Sequence, residues 1–427
     1  MSTITESNNM ISLIEALNYR SLKYITQPIG PFHVLIGPNA SGKSTFLDVV
    51  SFLGRLVSDG LDAAIGERTE NFVDLVWNRI GLGFELAIEA ELPESVRKAL
   101  RNEKLTLIRY EVAIGVIPDS ETEEIGILDE RVFLKPSLSN AQEPRSLFPE
   151  IMQAPNTITH RTKSGWQAVV SKSVNGNDNF NPEVRGPKKG WAHSFKLGPR
   201  KTALGNLPSD ETNFPASTWL KELLIEGVQS FVLNSAMIRK PSPPNQRRGF
   251  RTDGSNLPWV VMQLNEHSDK AMEWLKHLRT ALPDLTDVIT SLRPEDRHRF
   301  LKLEYQSGLV VPSWMASDGT LRLMALTLPA YLPDFKGIYL IEEPENGIHP
   351  KAVETVFQSL SSVYDAQILL ASHSPVILSC AKASSLLCFA KNEEGATDIV
   401  TGDNHPRLLE WKGETNIGVL FAAGVLG

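Results

Sequence analysis

The sequence predicts a three-layer α/β fold, with buried parallel strands at its centre and an antiparallel sheet to one side. Three observations carry that expectation. The first is a short apolar run from Pro31 to Gly37 that ends in glycine and leads into Lys43 to Leu56, where apolar residues fall at helical spacing. The second is a late pair of apolar runs, Ile338 to Ile341 and Gln367 to Ala371, flanking a helical stretch from Lys351 to Tyr364. That is the pattern of a buried parallel strand pair with its crossover helix. The third is apolar and polar alternation in Phe84 to Leu92 and Leu105 to Ile117, as half-exposed antiparallel strands require.

Between these ends the pattern weakens. From Pro118 to Asn213 the chain is rich in proline, glycine, asparagine and serine, and it reads as an irregular insertion. Helical spacing returns from Leu257 to Leu282, where Val260, Val261, Leu264, Met272, Leu275 and Leu278 are expected to share one face. The organisation expected is therefore an N-terminal part over 1–117, an insertion and helical region over 118–300, and a C-terminal part over 301–427.

Composition narrows the class. The chain has 427 residues, 41% hydrophobic and 22% charged, which is ordinary for a globular protein with a sizeable core. No stretch of about 18 uninterrupted apolar residues calls for a membrane span. The start, MSTITESNNM, lacks a basic end followed by an apolar core, so the expected location is the cytoplasm. Cys380 and Cys388 form no zinc or disulfide pattern and read as buried free thiols. A net charge of −7 argues against a surface given over to phosphate contacts, while leaving room for a local basic groove.

The strongest motif is Gly37-Pro38-Asn39-Ala40-Ser41-Gly42-Lys43-Ser44, a full GxxxxGK[ST] pattern between a predicted strand and a predicted helix. Glycines let the backbone turn tightly so that its N–H groups face phosphate oxygens, and the helix start adds partial positive charge. Lys43 is expected on the β and γ phosphates, Ser44 on Mg²⁺, and Thr45 completes the nucleotide-binding stretch. A plain glycine-rich turn before a helix is the alternative.

The second motif is the apolar strand Ile338 to Ile341 running into Glu342-Glu343-Pro344-Glu345. Carboxylates at the C-terminal end of a strand stand where open α/β sheets bind ligands. Glu342 is expected to hold Mg²⁺ through water, and Glu343 to polarise the attacking water as general base. An acidic strand-to-turn cap is the bland alternative. The third motif, Ala371-Ser372-His373-Ser374-Pro375, ends the next strand and offers His373 to the γ-phosphate or the attacking water.

Taken together these residues resemble the RecF/SMC-like branch of ABC-type ATPases, over roughly residues 11 to 117 and 301 to 427. The resemblance implies a P-loop ABC-type ATPase head with an antiparallel side sheet and a mostly irregular or helical insertion, using ATP and Mg²⁺. Asn18-Tyr19-Arg20-Ser21-Leu22 looks like the family's opening strand. Ser317-Asp318-Gly319-Thr320-Leu321-Arg322 looks like its signature, in which Ser317 and Gly319 complete the ATP site of the opposite protomer. That implies a homodimer or a higher even-numbered oligomer. Asn346, Gly347, Ile348 and His349 look like the loop that couples the two sites, and Phe250 to Pro258 resembles a segment of uncharacterised bacterial members.

The chain also departs from the family. Glu342 replaces the usual aspartate, Asp318 replaces a signature glycine, and the γ-phosphate-sensing glutamine has no evident counterpart, so slow turnover is expected. There is no long heptad arm. The residues after His373 are too few for the nuclease domain that some relatives append.

Two basic clusters stand out. Arg185, Lys188, Lys189, Lys196, Arg200 and Lys201 lie with Trp191 and Phe195, and Arg239, Lys240, Arg247, Arg248 and Arg251 surround a proline-rich turn. The first mixes charges that can track phosphates with rings that can stack bases, against the plainer reading of a solvated loop, and the second reads as a groove near the nucleotide or a docking face for an acidic partner. Asp284, Glu295 and Asp296 make a weak case for a metal-nuclease site.

The function expected is an ATP-driven switch acting on a protein effector such as a nuclease or toxin, in antiviral defence or DNA maintenance, with DNA as a further partner and no membrane. An ATP-dependent scaffold with little turnover, and a DNA-acting enzyme with its own cleavage site, are the rivals.

Overall fold

The computed structural model describes residues 10–118, 123–137, 145–161, 163–184, 193–246, 249–333, 335–409 and 418. It divides into two compact units. The first runs to Val228 and takes up Ala383–Lys412, and the second spans Gln229–Lys382.

The first unit opens with strands β1 (Ile11–Tyr19), β2 (Leu22–Pro28) and β3 (Phe32–Ile36), followed by helices α1 (Lys43–Asp59) and α2 (Leu61–Gly66). β4 (Gly83–Glu91), helix α3 (Glu94–Ala99), β5 (Leu107–Val116), β6 (Ile125–Lys135), β7 (Gln167–Ser173), β8 (Asp178–Phe180), β9 (His193–Phe195) and α4 (Pro215–Glu222) come next. Eight of these strands make one antiparallel sheet in the order β2-β1-β4-β5-β6-β7-β8-β9.

The predicted side sheet is therefore real but larger than expected. The stretch read as irregular from Pro118 supplies β6 to β9, the first interrupted by bulges in its pairing with β5 and β7 and the last two only three residues long. Nor is β5 half-exposed, since nine of its ten residues are buried. Its charged positions face inward and are satisfied there. Arg109 bonds Glu15 at 2.6 Å, Glu89 at 3.1 Å and Glu111 at 2.5 Å, while Lys135 bonds Glu89. The segment around Thr157–His160 closes over this cluster, with Ile158 N donating to Glu85 and His160 N to Glu111. Burial alone would raise the Glu111 carboxyl, but His160 and Arg109 outweigh it and hold the group below its usual range. Alternation in β5 thus separates an apolar face from an ionic one, both covered.

The second unit begins within the short strand β10 (Val228–Phe231). It continues through helices α5 (Ser235–Arg239), α6 (Leu257–Leu264) and α7 (Ser268–Ala281) and strands β11 (Leu285–Leu292), β12 (Arg299–Tyr305) and β13 (Val310–Pro312). Those three strands form an antiparallel sheet of their own. Then come α8 (Asp318–Thr327), β14 (Gly337–Glu342), α9 (Pro350–Ser361), β15 (Ala366–Ala371) and α10 (Pro375–Cys380). β14 and β15 pair in parallel, as predicted, from Gly337 opposite Ala366 to Glu342 opposite Ala371.

The helix expected from Leu257 to Leu282 is broken at Asn265–His267 into α6 and α7. The break rotates the second half, so Met272 is 63% exposed and Trp274 takes the buried position. Trp274 Nε1 donates to Thr327 Oγ1 at 3.0 Å, and Ser359 Oγ donates to the Thr327 carbonyl at 2.7 Å, pinning α7, α8 and α9 together.

The chain then returns to the first unit as β16 (Leu386–Lys391), β17 (Thr397–Thr401) and α11 (Pro406–Leu409). β16 runs parallel to β3, with Leu387 opposite Leu35, and pairs antiparallel with β17. Cys388 is fully buried in β16, which pushes its thiol up to about 12, whereas Cys380 is only partly buried. Among the described residues, no helix is long and apolar enough to cross a membrane.

Candidate functional site

Gly37 to Ser44 joins β3 to α1 in the first unit, as its sequence context demanded. Gly37 has φ 147, Ala40 φ 61 and Gly42 φ 107, so the loop turns through left-handed backbone at three points. A Cβ on Gly37 would lie 2.2 Å from the Phe389 carbonyl oxygen, and one on Gly42 would lie 2.2 Å from Thr397 Oγ1. Only glycine lets the loop lie this close to β16 and β17.

Thr397 fixes the loop from below, with Oγ1 donating to the Ser41 carbonyl at 2.8 Å and its N–H donating to the Ser21 carbonyl at 3.1 Å. The sequence reading missed Phe389 and Thr397, because nothing in an ordinary strand sequence announces that its backbone is another loop's floor.

Pro38, Asn39 and Ala40 form the exposed tip of the loop. Lys43 is buried, and its Nζ donates to the carbonyls of Gly37 at 2.8 Å and Pro38 at 2.9 Å. The α1 N-cap, Gly42, offers no side-chain cap, and no acid stands in the first turn. The Ser41 hydroxyl is buried and has no hydrogen-bond partner among the described residues. A loop with a lysine drawn over it, an uncapped helix start and an orphaned hydroxyl fits a phosphate chain. Ser44 stands exposed in the first helical turn.

Tyr19, Arg20 and Ser21 brace this region. Tyr19 OH donates to Asp48 of α1 at 2.6 Å, and Arg20 and Arg68 pair with the same carboxylate at 3.2 and 2.7 Å.

The acidic strand lies in the second unit. Glu342 ends β14, and Glu343 follows with φ 48, its N–H donating to the Ala371 carbonyl at 2.8 Å. Both glutamates are exposed. The left-handed turn at Glu343 lifts its carboxylate off the strand, where it accepts a hydrogen bond from Asn346 Nδ2. Glu345 plays a different part. Its Oε1 accepts from Ser372 Oγ at 2.8 Å and from the His373 N–H at 2.9 Å, so it ties the turn carrying half-buried His373 to the end of β14. Sequence reasoning placed Glu345 only as a member of an acidic run.

The signature residues sit at the start of α8 in the same unit. Ser317 is the N-cap, accepting from the Thr320 N–H at 3.1 Å. A Cβ on Gly319 would lie 2.8 Å from the Gly347 carbonyl, and Arg322 Nη1 donates to the Asn346 carbonyl at 2.6 Å. The signature and the loop after the acidic strand are thus in direct contact. Asp318, the departure from the family pattern, has a partner: Arg239 reaches it through two nitrogens at 2.9 and 2.7 Å and also donates to the Trp314 carbonyl. The extra acid and one residue of the second basic cluster therefore explain each other.

Of the remaining basic residues, Arg200 pairs with Asp62 and Glu124, and Arg251 approaches Asp253. Arg185, Lys188, Lys189, Trp191, Arg247 and Arg248 lie outside the described residues. Asp296 is taken up by Arg293 and His298. Among the described residues, no group of three or more histidine, cysteine, aspartate or glutamate side chains is gathered as a metal site needs.

A phosphate loop between a strand and a helix, a large antiparallel side sheet and a parallel pair ending in carboxylates define an ABC-type P-loop head. The chain belongs to the family described as "AAA domain, putative AbiEii toxin, Type IV TA system", whose model matches residues 32–379. It is similar to "Protein ea59" of Escherichia phage lambda, 24% identical over 265 residues that make up 60% of this chain and 44% of that protein. The chain thus spans less than half the length of this curated relative.

Among solved structures it is similar to an Smc head domain from Pyrococcus furiosus, crystallised with an extended coiled coil and bound to the C-terminal domain of ScpA. The TM-score is 0.50 at 13% identity, covering 94% of this chain and 98% of that one. An SMC head domain from Thermotoga maritima gives a TM-score of 0.42 at 10% identity, covering 92% and 98%. The likeness to the P. furiosus head is one of fold.

Proposed function

We propose that the chain binds ATP with Mg²⁺ at Gly37–Thr45 and hydrolyses it slowly. The observation that carries this reading is the phosphate loop itself, with Lys43 buried and drawn onto the Gly37 and Pro38 carbonyls. Lys43 trades those carbonyls for β and γ phosphate oxygens, a gain because a charge-assisted bond to an anion is stronger than one to a neutral carbonyl. The backbone N–H groups of the loop and the α1 dipole hold the phosphates. Ser44 directly and Glu342 through water would offer the hard oxygen ligands suited to Mg²⁺, which when bound neutralises charge building on the phosphates. Glu343 acts as general base on the attacking water and is aimed by Asn346, while His373, held by Glu345, contacts the γ-phosphate.

Two copies close on two nucleotides, each presenting Ser317 and Gly319 to the other's triphosphate, and hydrolysis lets them part. The dipole at the start of α8 favours such an anion, and Ser317, which now caps that helix through the Thr320 N–H, gives up that bond to meet it. The cycle controls a protein effector, in keeping with the toxin–antitoxin wording of the family's description.

Glu343→Gln tests the assignment. It is expected to retain ATP and ATP-dependent dimers in light scattering while phosphate release falls about 10²- to 10⁴-fold. Wild type that dimerises with ATP but releases no phosphate would favour the scaffold reading instead.

A further inference from the structure

The second unit carries a cleft of about 580 Å³ that the nucleotide chemistry does not use. Pro244, Asn245, Gln246, Trp259, Leu292, Arg297 and Arg299 line it. Its volume is that of a small-ligand site, and among the described residues its lining holds two guanidiniums and no carboxylate. Arg299 extends from β12 over the Trp259 ring, 4.8 Å from the centroid, and its Nη1 donates to Thr290 Oγ1 at 2.8 Å. Its Nε is buried with no hydrogen-bond partner among the described residues. Arg297 is exposed on the turn before β12, with φ 56.

Among the described residues neither arginine pairs with a carboxylate. The nearest acid in sequence, Asp296, is occupied by Arg293 and His298. Burial without an acidic neighbour pulls the Arg299 guanidinium below its ordinary range. A partly desolvated cation in this position is stabilised by an anion supplied from outside.

The aromatic decides which anion. Trp259 is anchored through Nε1 to the Ser242 carbonyl at 3.3 Å, so its ring is held in place under Arg299, in the cleft that Arg297 and the half-exposed Leu292 also line. Asn245 adds a side-chain amide able to meet a base edge, and Gln246, whose Oε1 accepts from Arg251 Nη1 at 3.2 Å, keeps its NH₂ to donate. A flat apolar surface, two guanidiniums and side-chain amides in one cleft match a nucleotide unit of a polynucleotide. An acidic peptide needs the charges alone.

We infer that this cleft binds single-stranded nucleic acid, with a backbone phosphate on Arg297 and Arg299 and a base against Trp259 and Leu292. The site works without ATP and does not depend on the hydrolytic reading.

Fluorescence anisotropy with a labelled oligothymidylate of about 15 nucleotides, in nucleotide-free buffer on the full chain, tests it. Saturable binding is expected. Arg297→Ala, at an exposed position, should weaken it about five- to ten-fold and flatten the dependence of log K on log salt by about 0.7. Arg297→Glu should abolish binding while leaving ATP-driven phosphate release at the wild-type rate. Trp259→Phe should keep most of the affinity and Trp259→Ala should lose about ten-fold or more. The absence of saturable binding, equal affinity for wild type and Arg297→Glu, displacement by polyglutamate at matched charge, or binding of thymidine monophosphate as tight as the strand would each overturn the proposal.

Discussion

The loop from Gly37 to Ser44 passes through positive φ at Gly37, Ala40 and Gly42. Gly42→Ala is expected to destabilise the chain by about 1–3 kcal/mol, since the added Cβ meets Thr397 and the left-handed backbone resists a side chain. A lowered thermal midpoint together with weakened ATP binding would bear this out, and an unchanged midpoint would refute it. Less legible were Thr397, Phe389 and Glu345, whose roles depend on residues far away in sequence. Asp318 looked like a defect in the signature until Arg239 was found on it. If that pair only satisfies a surface charge, its loss costs about 0–1 kcal/mol of stability.

Elements show where periodicity reasoning succeeds and where it stops. β14, α9 and β15 followed from uninterrupted apolar runs, because strands buried on both faces leave that signature. β6 to β9 did not, because bulges break the alternation along β6, and β8 and β9 are too short to show one. β5 misled in a more instructive way. Its alternation predicts one wet face, yet Arg109, Glu111 and their partners are buried, paired and roofed by residues near Ile158. Arg109→Met should destabilise the first unit by about 3–5 kcal/mol, because it strands three carboxylates that the guanidinium now serves. Denaturant unfolding checks this, and a loss below about 1 kcal/mol would mean that the side sheet does not need the cluster.

At the scale of the whole molecule, pH should act through buried groups of opposite sign. His33 is buried, accepts from the Gly30 N–H at 2.7 Å and lies 3.2 Å from the Ser385 carbonyl through Nδ1. Burial lowers it to about 4 from an ordinary value of 6.5. Its contribution is therefore complete above pH 6.5 and is lost as pH falls toward 4, by about 3 kcal/mol at most. Glu130 opposes it. Burial raises that carboxyl to about 7 from 4.5, so its contribution is present at acid pH and is lost as pH rises through 7. The raw stability curve mixes both, and the difference between wild type and His33→Gln isolates one. That difference should shrink steadily from pH 7 to pH 4, and a constant difference would contradict the assignment.

The central claim at this scale is that one chain binds and turns over ATP using Lys43 from one segment and Glu343 from another. Phosphate release, measured alongside ATP binding for wild type, Lys43→Ala and Glu343→Gln, tests it most directly. The account predicts slow release by wild type, loss of binding and release in Lys43→Ala, and retained binding with release reduced at least about 100-fold in Glu343→Gln. Undiminished release by Glu343→Gln, or ATP binding by Lys43→Ala as tight as wild type, would contradict it.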